Sequence, residues 1–107
     1  MSATPEPQVL QLSELVSYQD GAVVSRQITK ADAGNITLFA FAAGQELSQH
    51  TAPYDAFLHV LDGAAEVRIS GQSHTVQAGD AIIMPAGEPH AVKAPQRFKM
   101  LLTMIRA

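Results

Sequence analysis

The sequence predicts an all-β fold, a sandwich or barrel of short strands. Three observations predict it. Apolar and polar residues alternate in short runs along most of the chain. The runs are separated by Gly, Pro, Asp or Asn, the residues that tight turns select. No window combines helix caps with a helical apolar period, and residues 10–16 are the one weak helix candidate.

Taken in order, residues 1–8 carry Pro5 and Pro7 and read as a flexible or edge-lying arm, with the folded domain over 9–107. Strands are expected at 23–29, 35–42, 47–51, 56–61, 64–70, 73–76, 81–84, 90–93 and 98–105. Turn signals between them are Ala33-Gly34, Ala43-Gly44, Asp62-Gly63, Ser70-Gly71, Ala78-Gly79-Asp80 and Pro85-Ala86-Gly87. The alternation also assigns faces. Ala65, Val67 and Ile69 share one side, with Glu66 and Arg68 opposite. Phe98, Met100, Leu102 and Met104 form an apolar face, yet Leu101 and Ile105 lie on the reverse. Leu58 and Val60 oppose Phe57, His59 and Leu61 in the same way. Strands apolar on both faces need cover on both. In a chain without helices a second copy is the expected cover, so a homodimer with Phe57, His59 and Leu61 near the shared face is predicted.

Composition agrees with one modest domain. The chain has 107 residues, 47% hydrophobic and 16% charged, against about 25% charged in an average soluble chain. The absence of cysteine excludes a disulfide scaffold, an iron–sulfur cluster and a thiol nucleophile. A net charge of −3 without a basic run argues against nucleic acid. No apolar run reaches the roughly 20 residues of a membrane helix, and the N-terminus lacks the pattern of a secretory signal, so a cytoplasmic protein is expected. The charges are uneven. Glu6, Glu14 and Asp20 have no base among the first 20 residues, whereas only Lys93, Arg97, Lys99 and Arg106 follow Glu88. Either the two chain ends meet in one sheet, or the bases form a lip for an anionic ligand.

Chemistry must come from four histidines, His50, His59, His74 and His90, because imidazole is the commonest nitrogen ligand and a general base near neutral pH. Two glycine-punctuated stretches frame two of them. One runs Gly44, His50, Ala52, Ala56, Gly63; the other runs Gly79, Pro85, Gly87, His90, Ala94. Their spacing resembles the two motifs of the cupins, G-x5-H-x-H-x3-E-x6-G and G-x5-P-x-G-x2-H-x3-N, over residues 35–105. HTAPYDA is also similar to one subgroup of small single-domain cupins. The resemblance implies a double-stranded β-helix, a jelly-roll barrel, commonly dimeric; the interior of so small a barrel is either filled by side chains or holds one small ligand. It also implies a metal, Fe, Mn, Ni, Cu or Zn, held by three histidines and a glutamate. Those positions fall on His50, Ala52, Ala56 and His90, so two are alanine and half the site is lost.

The expected pocket is therefore His50 and His90 with Tyr54, Met84, Phe39 and Met100 around them, and Phe41 and Met104 as further lining. A divalent ion (Fe, Mn, Ni or Zn) would rest on His50, His90 and a possible third ligand, His74. His74 shares parity with Val76 and is either that ligand or a hydrogen-bonded core histidine. Glu46 and Ser48 share parity with His50, whereas Asp55 is expected to point outward or cap its turn. The competing functions are an enzyme using the metal or a histidine base, a binding module for a small ligand, and a dimeric scaffold without activity.

Overall fold

The structure, a computed structural model, describes residues 7–106, so residues 1–6 of the expected arm lie outside the described residues; Pro7 and Gln8 are exposed. Among the described residues nine strands form: β1 (Val23–Ala31), β2 (Gly34–Phe41), β3 (Glu46–His50), β4 (Tyr54–Asp62), β5 (Ala64–Ile69), β6 (Gln72–Gln77), β7 (Ala81–Met84), β8 (His90–Lys93) and β9 (Phe98–Arg106). Each coincides with a run read from the alternation. The weak helix signal at 10–16 yields only a short 3-10 turn, Leu12–Glu14, without a side-chain cap.

The strands build two sheets in the order β1-β2-β9-β4-β7 and β3-β8-β5-β6. All pairings are antiparallel. The facing sides enclose Phe41, Leu58, Val60, Val67, Val92, Phe98 and Met100. Phe41 stacks on Phe98 with ring centroids 4.5 Å apart and planes 16° from parallel, so β2 and β9 meet through aromatic faces where their pairing ends.

The outer face of the five-stranded sheet is covered along half its length. Val16, Leu38 and Ala40 are buried there, packed with Leu12, Leu15, Tyr18, Leu61 and Leu101. This segment is also held by polar contacts. Tyr18 donates to Asp62 at 2.5 Å, the Lys99 ammonium donates to the Ser13 carbonyl at 2.5 Å, and the Arg97 guanidinium lies 4.7 Å from the Tyr18 ring centre. The cover expected from a second subunit at Leu61 is therefore supplied by the chain itself. The two chain ends do meet, but through a carbonyl and an aromatic face.

The other half of that face stays open. Phe57 is 42% exposed, Ile83 61% and Ile105 57%. Phe57 is the cross-strand partner of both Ile83 and Thr103, which makes these side chains one patch. His59 is half-buried beside it, opposite Leu101 and Ala81, on the side of the sheet away from the barrel interior.

Candidate functional site

His50 and His90 stand directly opposite each other, the last residue of β3 and the first of β8. The pairing of β3 shifts between Leu47 and His50. Such a bulge gives one strand an extra residue and reverses its parity. Leu47 and His50 consequently both face the barrel interior, and Glu46, Ser48 and Gln49 line an open groove on the outside of the four-stranded sheet. The parity that grouped Glu46 and Ser48 with His50 fails at this bulge.

The loop before His90 is fixed from two sides. Its Ala86 and Gly87 amides donate to the Asp55 carboxylate and the Ala52 carbonyl, each at 2.9 Å. On the other side the Ser70 amide donates to the Pro89 carbonyl at 2.8 Å, and the Ser70 hydroxyl donates to Glu88. Pro85 ends β7 and Gly87 takes φ +80°, a left-handed conformation that turns the chain back toward β8. Asp55 thus points outward, as expected, and its carboxylate holds the loop.

The ring geometry is specific. The His50 Nδ1 donates to the Ser48 carbonyl at 2.7 Å, and the His90 Nδ1 donates to the Glu88 carbonyl at 3.2 Å. A carbonyl only accepts, so both Nδ1 atoms carry a proton, and in the neutral ring Nε2 is left with a free lone pair. The ring centroids are 4.4 Å apart, edge to face at 69°. His90 is buried and His50 exposed. Burial first, and the neighbouring His50 second, push the His90 pKa below the ordinary imidazole value, against the upward pull of the Glu88 carbonyl. The neutral form of His90 is therefore favoured.

Between these rings and the core lies a cavity of about 50 Å³. It is lined by the polar His50, His90 and Tyr54 and by the apolar Leu47, Ala52, Ala56, Met84, Val92, Met100, Leu102 and Met104. One water needs roughly 10–15 Å³ measured this way, so the space suits an ion or a molecule of very few atoms. The structure thus brings together His50, His90, Tyr54, Met84 and Met100 from the expected set. It does not bring in His74 or Phe39. His74 is exposed on β6, an edge strand, where inward parity does not guarantee cover. Phe39 faces inward from β2 and packs beside Phe41, with ring centroids 6.1 Å apart, and takes no part in the cavity wall. Leu47, Val92 and Leu102 were not assigned to the pocket from the sequence. Val92 shares parity with His90, and Leu102 with Met100, so the signal was present for two of the three.

The residues present do not fit the divalent ion that the motif resemblance implies. Ala52 and Ala56 do line the cavity, confirming their place in the site, and alanine offers no donor. Among the described residues no three of His, Cys, Asp and Glu come together as a metal group. Catalytic zinc sites keep three protein ligands, and two imidazoles fall one short.

A family model described as Cupin domain matches residues 37–105. No curated protein matches the chain. Among solved structures, a conserved protein of unknown function from Streptococcus pyogenes has a TM-score of 0.90 and 35% identity, over 97% of this chain and 91% of that one. A cupin superfamily protein from Desulfitobacterium hafniense has a TM-score of 0.89 and 28% identity, over 96% and 94% of the two chains. A cupin 2 conserved barrel domain protein from Leptotrichia buccalis has a TM-score of 0.88 and 36% identity over 91% of this chain; this chain spans 47% of that one. The matching family model, the two-sheet topology and the motif residues gathered at one mouth lead to the same conclusion: the chain belongs to the cupin family and folds as a jelly-roll barrel.

Proposed function

We propose that this cupin is a small-ligand-binding protein whose anchoring groups are the paired Nε2 atoms of His50 and His90, and that it acts as a cytoplasmic homodimer. The observation that carries the reading is the double commitment of Nδ1. Each ring spends its only N–H on its own backbone two residues upstream, and two lone pairs are left at the entrance of one small apolar cavity. Two such acceptors anchor a ligand that brings acidic hydrogens or an electron-poor centre, and the apolar wall excludes anything larger or heavily hydrated. The open patch at Phe57, Ile83 and Ile105 supports the dimer, because a two-fold interface needs only one self-complementary patch per chain. No described helix is long and apolar enough to cross a membrane.

The alternative reading is a metalloenzyme carrying Fe, Mn, Ni or Zn. Two measurements separate them. Nitrogen NMR of histidine-labelled protein is expected to show Nδ1–H tautomers for both His50 and His90; an Nε2–H tautomer at either ring refutes the anchoring role. Elemental analysis of protein purified without added metal is expected to find no stoichiometric divalent ion. A full equivalent of Fe, Mn, Ni or Zn that disappears in the His50→Ala, His90→Ala variant would overturn the metal-free site and support the metalloenzyme reading instead.

A further inference from the structure

Among the described residues, Ser70 is the one residue other than glycine with a positive φ, at +49°. It opens the two-residue turn between β5 and β6, and Gly71 completes that turn at φ +85°. Positive φ at both central positions is the pattern of a type I′ hairpin, which selects Asn, Asp or Gly at the first of them. Serine there carries backbone strain, without asparagine's tolerance of the left-handed region. Residues that break a local preference in this way concentrate at functional sites.

The side chain of Ser70 is tied to the loop that presents His90. Ile69 stands opposite His90 across the β5–β8 pairing, so the hairpin tip lies against the entry to β8. The Ser70 amide donates to the Pro89 carbonyl at 2.8 Å, a bond that any residue except proline supplies. The hydroxyl donates to the Glu88 carboxylate, and that bond depends on the side chain. Glu88 is also the residue whose carbonyl accepts the His90 Nδ1 proton, at 3.2 Å. Glu88 thus joins two bonds: the hairpin holds its carboxylate, and its carbonyl holds the ring. If that carbonyl turns away from Nδ1, the imidazole is free to carry its proton on Nε2 instead, and the lone pair at the cavity is lost. We infer that Ser70 and Glu88 are a positioning pair that, from outside the barrel, keeps the Glu88 carbonyl on Nδ1 and the Nε2 lone pair of His90 available to a ligand. The inference rests on the anchoring role of the two histidines and adds the residues that maintain one anchor. Both residues are exposed, so the bond between them contributes little to overall stability and its effect on the ring is separable from any effect on the fold.

Two measurements on the full chain test this. Nitrogen NMR of histidine-labelled protein at about pH 8.5, above the imidazole range, reads the tautomer of each ring, and urea midpoints read stability. The wild type is expected to show Nδ1–H at both rings. Ser70→Gly suits the turn and keeps the Pro89 bond, so its urea midpoint is expected to equal or exceed that of the wild type. In the same variant His90 is expected to become a mixture of both tautomers, while His50, bonded to the Ser48 carbonyl, keeps Nδ1–H. Glu88→Ala is expected to give the same mixture. Glu88→Gln, whose amide oxygen still accepts the hydroxyl proton, is expected to retain Nδ1–H at His90. The Ser70→Gly, Glu88→Ala double variant is expected to match either single one, because both remove the same bond. An unchanged His90 in Ser70→Gly or in Glu88→Ala overturns the inference. So does a Ser70→Gly midpoint that falls together with the loss of Nδ1–H, which marks a general loosening of the fold. In either event Nδ1–H at both wild-type rings keeps the anchoring reading standing, whereas Nε2–H at His90 in the wild type removes both.

Discussion

Replacing Gly63 by alanine should damage this barrel several-fold more than the same change at Gly44. Both glycines belong to the first motif, and both adopt left-handed backbone, φ +72° at Gly63 and φ +84° at Gly44. Placing an L-residue there costs about 1–2 kcal/mol, partly offset by roughly 0.4–1 kcal/mol from a stiffer unfolded chain. Gly44 has open space around its Cα, so Gly44→Ala should cost about 1 kcal/mol or less. At Gly63 a Cβ would strike the Arg97 carbonyl and the backbone of Phe98. Relief requires moving Phe98, which is fully buried and stacked on Phe41. Overpacking of that kind adds about 1–3 kcal/mol, which brings Gly63→Ala to roughly 3 kcal/mol. Urea unfolding followed by circular dichroism measures both. With a denaturant slope of about 1.5 kcal/mol/M, the midpoint should fall by about 2 M for Gly63→Ala and by well under 1 M for Gly44→Ala. Equal midpoint losses would show that backbone conformation alone sets the requirement for glycine and would refute the steric argument.

Three further outcomes are expected. The folded pKa of His90 lies below its unfolded value, so the unfolded chain binds more protons as pH drops below about 6.5; stability should be complete above that pH and decline below it, and His90→Gln should flatten the decline in urea midpoints measured across that range. Burial and the Asp62 carboxylate raise the Tyr18 pKa far above the ordinary tyrosine value, so the unfolded chain releases this proton first; stability should fall as pH rises above about 10, and Tyr18→Phe should remove that component along with the late phase of the phenolate absorbance titration. Light scattering at low micromolar concentration should give twice the chain mass of 11.4 kDa, and Phe57→Arg should return it to one chain, whereas a monomeric wild type rules out the dimer.

The strands were legible because alternation is a local property. Val67 against Arg68, or Leu58 against Phe57, states which side is inward without knowledge of the partner strand. The histidine pair was legible through spacing, since Gly44 to His50 and Gly79 to His90 fix where each ring leaves its turn. Properties that depend on distant chain were not. The bulge at Ser48 and Gln49 arises from pairing with β8, and counting along β3 cannot detect it. The cover over Leu61 comes from Leu12, Leu15 and Val16, more than forty residues away in sequence. His74 has the right parity, but whether an inward residue is covered depends on the width of the opposing sheet. Met84 and Met104 flank Ala56 only because β7 and β9 both pair with β4, although each methionine had been placed near the pocket by its own strand.

The position of β3 makes the mouth of the barrel unevenly held. β3 has five residues and is hydrogen-bonded along one side only, to β8, whereas β8 is held on both sides by β3 and β5. An edge strand of this length separates at a smaller free-energy cost than the sheet interior. His50 ends that strand, while His90 begins a strand locked in place by the loop at Ala86 and Ser70. One ring is therefore a fixed post and the other rides on the part of the barrel that frays first. Local opening of β3 is the expected way for this mouth to widen, and faster amide hydrogen exchange at Gln49 and His50 than around Phe41 and Phe98 would register it.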